Sequence, residues 1–256
     1  MPSMQGRKVI EIASLRAACR DCSLQELCLP LGLDSDDVES LERIVRRRHP
    51  LKKGEQLYRL GDPFKSIYAV RTGVFKSTSL MEDGRAQIIG FYLPGELLGM
   101  DAINVDKHPC TAEALETSEV CEIPFAALED LAHKLPSLQH QLLRIMSREM
   151  GRDEQALVML GRMNAPERLA TCLMSFSRRY AKLGGDPCRF RLGMSRQDLG
   201  DYLGLALETV SRLFARLQQD GMVKLEGRNI TLSDPLRLGA LANGSVGAPA
   251  RHHEHA

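Results

Sequence analysis

No stretch of this chain comes near the roughly 18 uninterrupted apolar residues that a membrane-crossing helix needs. The opening MPSMQGRKVI carries no apolar run of the sort a secretory signal requires. Both absences predict a cytoplasmic protein with no membrane partner. In that compartment the thiol pool keeps cysteines reduced, and the odd count of seven does not close into a disulfide framework. A strong net charge is missing too, since 34 Lys and Arg against 33 Asp and Glu leave +1. The total therefore points to no particular partner.

What is present is a chain of 256 residues, 43% hydrophobic and 26% charged, enough for one large core or two ordinary ones. The charge is unevenly spread. Residues 141–230 hold 15 basic against 10 acidic side chains, and the remainder 19 against 23. A surplus of that size is either an ordinary solvated surface or the footprint of a phosphate-binding module. Three of the seven cysteines crowd into CRDCSLQELC, residues 19–28. Clustered thiols in a reducing compartment point to metal.

The chain divides into zones. Between about 50 and 125, glycines at 54, 61, 73, 84, 90, 95 and 99 punctuate β-prone runs such as SIYAV (66–70), GVFKS (73–77) and QIIGFYL (87–93). Short strands at that spacing predict a sandwich or jelly roll, with MEDG (81–84) as a hairpin turn ending on Gly84. From Pro136 to about Leu160 the pattern becomes a long helix. Leu142, Met146, Met150, Asp153, Leu157 and Leu160 recur at the spacing of a coiled-coil seam with one charged member. Either this helix packs on its own domain with Asp153 at an edge, or it pairs two copies with the Asp153 carboxylates facing.

After a further helical stretch, GGDP (184–187) opens a third zone. In MSRQDLGDYLGLALETVSRLFARLQQDGMV, Ser195 caps a helix with Asp198 three residues on, Gly204 ends it, and Leu205 sits in the turn. A second helix follows with Val210, Leu213, Phe214 and Leu217 inward, until Gly221. This is a helix-turn-helix, and VKLEGRNITL behind it reads as a wing turning at Gly227. Glu208, Ser211 and Arg212 share the outward face of the second helix. Arg can grip guanine, Glu can accept from cytosine and Ser can do either. Their place just after the turn favours base reading over a plain solvated face.

These residues carry a family resemblance. CRDCSLQELCLP, EALETSEVCEIPF (113–125), the seam helix and GDYLGLALETVSRLFARLQQDGM occur in the order found in FNR, the fumarate and nitrate reductase regulator family of the cyclic AMP receptor protein superfamily. The likeness covers about residues 19 to 240. It implies an α+β chain: a cysteine-rich arm over 1–30, a cyclic-nucleotide-binding-like jelly-roll sensor over 31–135, a dimerisation helix over 136–161, a winged helix-turn-helix over 162–240, and a disordered tail over 241–256. It also implies a regulator, not an enzyme, that activates or represses transcription in response to oxygen.

By the same resemblance the arm's Cys19, Cys22 and Cys28, with Cys121 as the distant fourth, hold an oxygen-labile [4Fe-4S] cluster that passes through a [2Fe-2S] form in air. Thiolate ligation suits such a cluster. Cys110, in KHPCTAE, is a second candidate for the fourth ligand, and zinc is allowed by four thiolates alone. Cys172 and Cys188 read as incidental thiols. The family pairs as a homodimer and binds double-stranded DNA at TTGAT-N4-ATCAA. The turn of Met81, Glu82, Gly84 and Arg85 is either a contact for RNA polymerase or a plain solvated turn.

Two departures from the pattern stand out. Cyclic-nucleotide relatives place an Arg after a GEL motif, yet PGELLGMDAINVDKHPCTAEA has none between Gly95 and Ala114, with His108, Pro109 and Cys110 near that place. No cyclic nucleotide is expected, and Glu96 reads as structural. Ala206 stands where the family commonly has Thr, which removes a helix cap. The alternative function is a regulator of the same superfamily that senses a cyclic nucleotide, haem or a thiol signal. His252, His253 and His255 in the tail are read as solvated.

Overall fold

A computed structural model describes Cys19 and residues 22–244, and the tail histidines His252, His253 and His255 lie outside the described residues. Helix α1 (Ser35–Ile44) begins where the Asp34 carboxylate accepts the backbone N–H groups of Asp36 and Asp37 at 3.0 and 2.9 Å. Eight strands follow: β1 (Arg46–Arg47), β2 (Gln56–Tyr58), β3 (Ser66–Thr72), β4 (Phe75–Leu80), β5 (Ala86–Tyr92), β6 (Leu97–Leu98), β7 (Thr111–Ala114) and β8 (Glu119–Pro124). They form two four-stranded antiparallel sheets, β1-β8-β3-β6 and β2-β7-β4-β5, the double-sheet roll that the spacing predicts. The MEDG hairpin sets Leu80 opposite Ala86, with Gly84 at φ 83°.

Two helices leave the roll, α2 (Phe125–Lys134) and α3 (Pro136–Arg162), the latter with Pro136 in its first turn. One face of α3 is buried through Leu138, Gln141, Ile145 and Met159. Of the six residues at seam spacing, Met146, Met150, Asp153 and Leu157 are exposed, with Leu157 at 72%. Leu142 and Leu160 are half-buried against the chain's own cores. Leu143 and Val158 widen the exposed apolar stripe.

The C-terminal part contains α4 (Ala165–Lys182), β9 (Arg189–Arg191), α5 (Arg196–Leu203), α6 (Leu207–Gln219), β10 (Val223–Glu226), β11 (Asn229–Leu232) and α7 (Pro235–Ala242). The Ser195 side chain accepts from the Asp198 N–H while Asp198 accepts from the Ser195 N–H, the reciprocal cap that the sequence predicts. Gly204 then turns the chain at φ 64°. Gly200, mid-helix, is equally needed: a Cβ there would lie 2.5 Å from the Leu205 carbonyl oxygen. The wing has three strands in the order β10-β11-β9. Strand β9 escapes sequence reading because three residues show no period. A correction falls at the end: α7 runs to Ala242, two residues into the expected tail, because Leu238 and Ala242 bury against the rest of the domain.

The sequence treats roll and helix-turn-helix as separate zones, but one apolar cluster spans both. Val74, Ile88, Phe91, Leu93 and Leu115 of the roll share a core with Leu173, Phe176, Leu199 and Phe214 of the C-terminal part. Around this core stand polar clamps. The Lys76 ammonium meets the Asp198 carboxylate at 2.9 Å, Arg191 meets Glu116 at 2.5 Å, and Gln87 Nε2 donates to the Asp201 carbonyl.

Helix α6 begins at Ala206 without a side-chain cap, as the departure from Thr implies. Ala206→Ser should add about 1 kcal/mol of stability by satisfying one orphan N–H. Equilibrium urea unfolding of the two proteins measures the difference, and coincident curves would show that the position is already satisfied by other means.

Candidate functional site

From Cys22 to Leu33 the described part of the arm is a series of tight turns. Gln25 N–H donates to the Cys22 carbonyl at 3.1 Å, Cys28 N–H to the Leu24 carbonyl at 3.0 Å, and Leu33 N–H to the Pro30 carbonyl at 3.0 Å. Leu24 and Leu29 are buried and anchor it, while the Cys19 N–H donates to Glu42 Oε1 on α1 at 3.1 Å. The leucines of SLQELCLPL supply these anchors, although their spacing does not tell buried Leu24 and Leu29 from exposed Leu31. Strand β8 brings Cys121 alongside, in register with Ala69 of β3 and Arg47 of β1.

Cys19, Cys22, Cys28 and Cys121 line one cavity, together with Leu24, Leu29, Leu41, Val45 and Ile123. Burial pushes the Cys19 thiol up to about 11 and the Cys28 thiol up to about 12; in both, the neighbouring cysteines add to the shift. Burial also raises Cys121, with Arg71 the strongest opposing influence and Cys22 a reinforcing one. After burial, neighbouring cysteines help raise the thiols of Cys19, Cys28 and Cys121. Among the described residues, no three His, Cys, Asp or Glu side chains are gathered tightly enough to coordinate a single ion. Zinc draws four sulfurs to about 2.3 Å from one centre. The four donors are all sulfur, which is the ligation that both zinc and iron–sulfur groups take.

Cys110 lies elsewhere. It is buried inside the roll, where its thiol donates to Asp101 Oδ2 at 3.2 Å. Beside it, His108 is buried and stacks on Tyr58 with ring centroids 3.7 Å apart. Cys172 is buried in α4 and Cys188 half-buried near β9, both remote from the arm's cavity lining.

Glu96 proves to be the hub of an ion-pair network that sequence reasoning missed. Its carboxylate takes Arg152 Nη2 of α3 at 2.6 Å, Arg179 Nε and Nη2 of α4 at 2.9 and 2.5 Å, and the Leu93 N–H at 2.9 Å. Arg179 also donates to the Phe91 carbonyl and Arg152 to Glu149. One carboxylate thus ties roll, seam helix and helix-turn-helix domain together. The preceding Gly95 touches the arm: a Cβ there would lie 2.8 Å from Leu27 Cβ. No sequence period links positions 96, 152 and 179, so only the fold makes them neighbours.

On α6, Glu208 and Arg212 are exposed and Ser211 half-buried, all clear of the interdomain core. Arg212 is exposed, and its Nε makes a long hydrogen bond to the Glu208 carbonyl at 3.3 Å. The Met81–Arg85 turn is exposed, with Arg85 paired to Asp83 at 2.7 Å. Asp153 is raised, first by partial burial and then by the Asp101 carboxylate.

Comparison with known proteins gives this geometry a context. The model of the cyclic nucleotide-binding domain matches residues 48–134 and that of the Crp-like helix-turn-helix domain residues 167–241. The transcriptional activator protein Anr of Pseudomonas protegens is 51% identical over 90% of this chain and 95% of its own. The chain belongs to the Crp/FNR family of transcription regulators. Within that family it is also 46% identical to the fumarate and nitrate reduction regulatory protein of Salmonella typhimurium, over 88% of this chain and 90% of the relative. Among solved structures, FixK2 of Bradyrhizobium japonicum aligns with a TM-score of 0.72 at 33% identity, covering 80% of this chain and 99% of its own. Among the described residues no helix is long and apolar enough to cross a membrane.

The Glu96 hub carries a pH dependence. Burial works to raise this carboxyl, but Arg179 and Arg152 outweigh it and hold it below its ordinary value. Asp198 is likewise lowered, with burial outweighed by Ser195 and Lys76. Groups depressed in the folded state stabilise fully above their ordinary values, roughly pH 4, and lose that contribution as pH falls through the depressed ones. Acidification should therefore release the helix-turn-helix domain from the roll, and Glu96→Gln should loosen the same interface already at neutral pH. Hydrogen exchange of β5 and α5 amides reports the release, and unaltered protection in the variant at pH 7 would remove Glu96 from this role.

Proposed function

We propose that this protein is an oxygen-responsive transcription regulator of the FNR type that pairs two copies and reads a palindromic DNA site. The observation that supports it most is the convergence of Cys19, Cys22 and Cys28 from the arm with Cys121 from β8 on one apolar cavity. These four residues would hold a [4Fe-4S] cluster. When bound, such a cluster supplies a crosslink between arm and roll that oxygen can destroy.

The chain's own contacts carry the state of the arm outward. Gln141 Nε2 on α3 donates to the Cys28 carbonyl at 3.1 Å, and Ser137 Oγ to Asp37 of α1 at 2.8 Å. The first half of α3 therefore follows the arm, while Leu27 against Gly95 adjoins the Glu96 hub. Along α3, Met146, Met150 and Leu157 form the pairing stripe, aided by Leu142 and Leu160 at its half-buried ends, with Asp153 between. Two facing carboxylates at ~4 Å repel by roughly 1 kcal/mol in water, or ~4 at an effective dielectric of 20. The pairing is marginal, so a small shift of α3 decides it. An unpaired copy offers one reading head to a two-fold site and loses most of its affinity.

On the DNA, Arg212 grips guanine through O6 and N7, Glu208 accepts from cytosine N4, and Ser211 adds a neutral contact, toward a TTGAT-N4-ATCAA site. The relatives named as transcriptional activators favour activation, for which Met81, Glu82, Gly84 and Arg85 offer an exposed surface to RNA polymerase. A second reading, a regulator answering to a cyclic nucleotide, has the matching domain description in its favour. Against it, the Glu96 carboxylate is already engaged by Arg152 and Arg179.

Iron and acid-labile sulfide per chain, measured on protein prepared without air, test the cluster. The wild type and Cys110→Ala should carry both, and Cys121→Ala should lack them; a wild type without sulfide ends this reading. Arg212→Ala should weaken binding to the operator by ~1–3 kcal/mol and relax preference at the guanine. Equal weakening on all sequences in a competition assay would reduce Arg212 to a phosphate contact.

A further inference from the structure

Another joint, apart from Glu96 and Asp198, sits where the seam helix gives way to α4. The backbone leaves the helical line at Met163 and Asn164, both extended. In a continuous helix the Asn164 and Glu167 N–H groups would bond the Leu160 and Met163 carbonyls four residues back. Here they form the reciprocal cap of α4 instead, donating to Glu167 Oε2 at 2.8 Å and Asn164 Oδ1 at 3.1 Å. Two carbonyls at the end of α3 are left to find other donors. Arg168 supplies them, with Nη2 donating to the Leu160 carbonyl at 2.8 Å and Nε to the Met163 carbonyl at 2.9 Å. Its Nη1 donates at 3.0 Å to the carbonyl of Leu203, the last residue of α5. One guanidinium therefore closes the C-terminal ends of two helices, each carrying partial negative charge. Gly204 lies against it: a Cβ there would be 3.5 Å from Arg168 Nη1 and 3.8 Å from Leu160 Cδ2.

Arg168 is the fourth residue of α4, where the positive end of a helix disfavours a cation. A residue that breaks a local rule is expected to be engaged elsewhere. Leu160 is the last member of the α3 seam, and Leu203 stands directly before the turn into α6. The Arg168 bonds thus tie the end of the pairing helix to the entrance of the helix that bears Glu208, Ser211 and Arg212. We propose that Arg168 fixes the separation and angle of the two reading heads in the paired protein, and so selects the number of base pairs between half-sites. The inference rests on the reading of two copies on a palindrome and adds a positioning residue to it. A planar fork of donors holds two helix ends at one spacing, which a single ammonium on a flexible stem does not. Each base pair added between half-sites moves one of them by about 3.4 Å and turns it by about 35°. A rigid joint rejects the wrong spacing, whereas a loose one spreads the second head over several positions and lowers its effective concentration at the right one.

The test uses the full chain, prepared without air with iron and sulfide, as wild type, Arg168→Lys and Arg168→Met. Binding is measured to three duplexes: TTGAT-N4-ATCAA, the same halves separated by one further base pair, and a single half-site. Wild type should prefer the N4 duplex to the longer one by at least roughly thirtyfold. In both variants that preference should shrink by at least about fivefold, through weaker binding to N4, while the longer duplex stays tighter than the half-site. Half-site binding should remain within about twofold of wild type, because the reading face of α6 is untouched. An unchanged preference for N4 overturns the role of Arg168. Equal weakening on all three duplexes also overturns it, since Arg168 then only supports the fold of its domain. So does a fall to half-site affinity on both palindromes, the mark of lost pairing. A wild type that binds the palindrome no tighter than the half-site overturns the two-fold reading itself.

Discussion

Four thiols sharing one apolar cavity is the constraint on which the rest depends. Burial first, and the neighbouring cysteines after it, push Cys19 and Cys28 well above the ordinary thiol range, and burial raises Cys121 as well. Their burial is possible because Leu24 and Leu29 pull the arm onto the roll, and those leucines in turn position Cys28 for Gln141 of α3. The packing of a short arm thus fixes the starting point of a long helix. On the proposed reading, a change of ligand state at the sulfurs acts on both together.

The second organising feature is that the helix-turn-helix domain shares a core with the roll. Helix α5 lies on β5, with Tyr202 against Phe91 at 5.1 Å between ring centroids, so the whole outer surface of α6 is left free. Asp198 serves two ends at once, capping α5 and pairing with Lys76 of the roll. Glu96 does the same across three elements. Breaking one partner of a buried pair costs about 3–5 kcal/mol, so α3 cannot rotate against the roll without either carrying the Arg179 helix with it or losing these bonds. Coupling between seam and reading head needs no longer path than one carboxylate.

How much of this was legible in the sequence follows from what each signal depends on. The jelly roll, the seam helix, the Ser195 cap and the Gly204 turn were readable because periodicity, glycine and capping residues act within a few positions. The three arm cysteines were visible as a cluster, and Cys121 entered through resemblance alone, since nothing local distinguishes it from Cys110. Only the strand register that sets Cys121 beside β1, and Cys110 inside the roll against Asp101, gives them different surroundings. The Glu96 hub was invisible for the same reason. Ion pairs between positions dozens of residues apart leave no mark on composition or spacing. The uncapped start of α6 was legible, because a cap is a single-residue property.

On the proposed reading, the composition of the α3 seam follows from what a switch requires. Moving a two-state equilibrium from 1:99 to 99:1 takes about 5.5 kcal/mol, the scale of one or two buried contacts. A stripe of leucines and isoleucines along α3 would pair two copies so firmly that no event at the arm could part them. Instead the exposed face mixes Leu143, Leu157 and Val158 with Met146 and Met150, flexible and tolerant of shifts, around the charged Asp153. In the proposed pairing, repulsion at that position would subtract from the apolar gain by an amount of the same order as the contacts that Gln141 and Ser137 of α3 make with Cys28 and Asp37. On the proposed reading a weak seam is therefore what lets a change among four sulfurs, small beside the whole fold, decide whether one reading head or two reach the DNA.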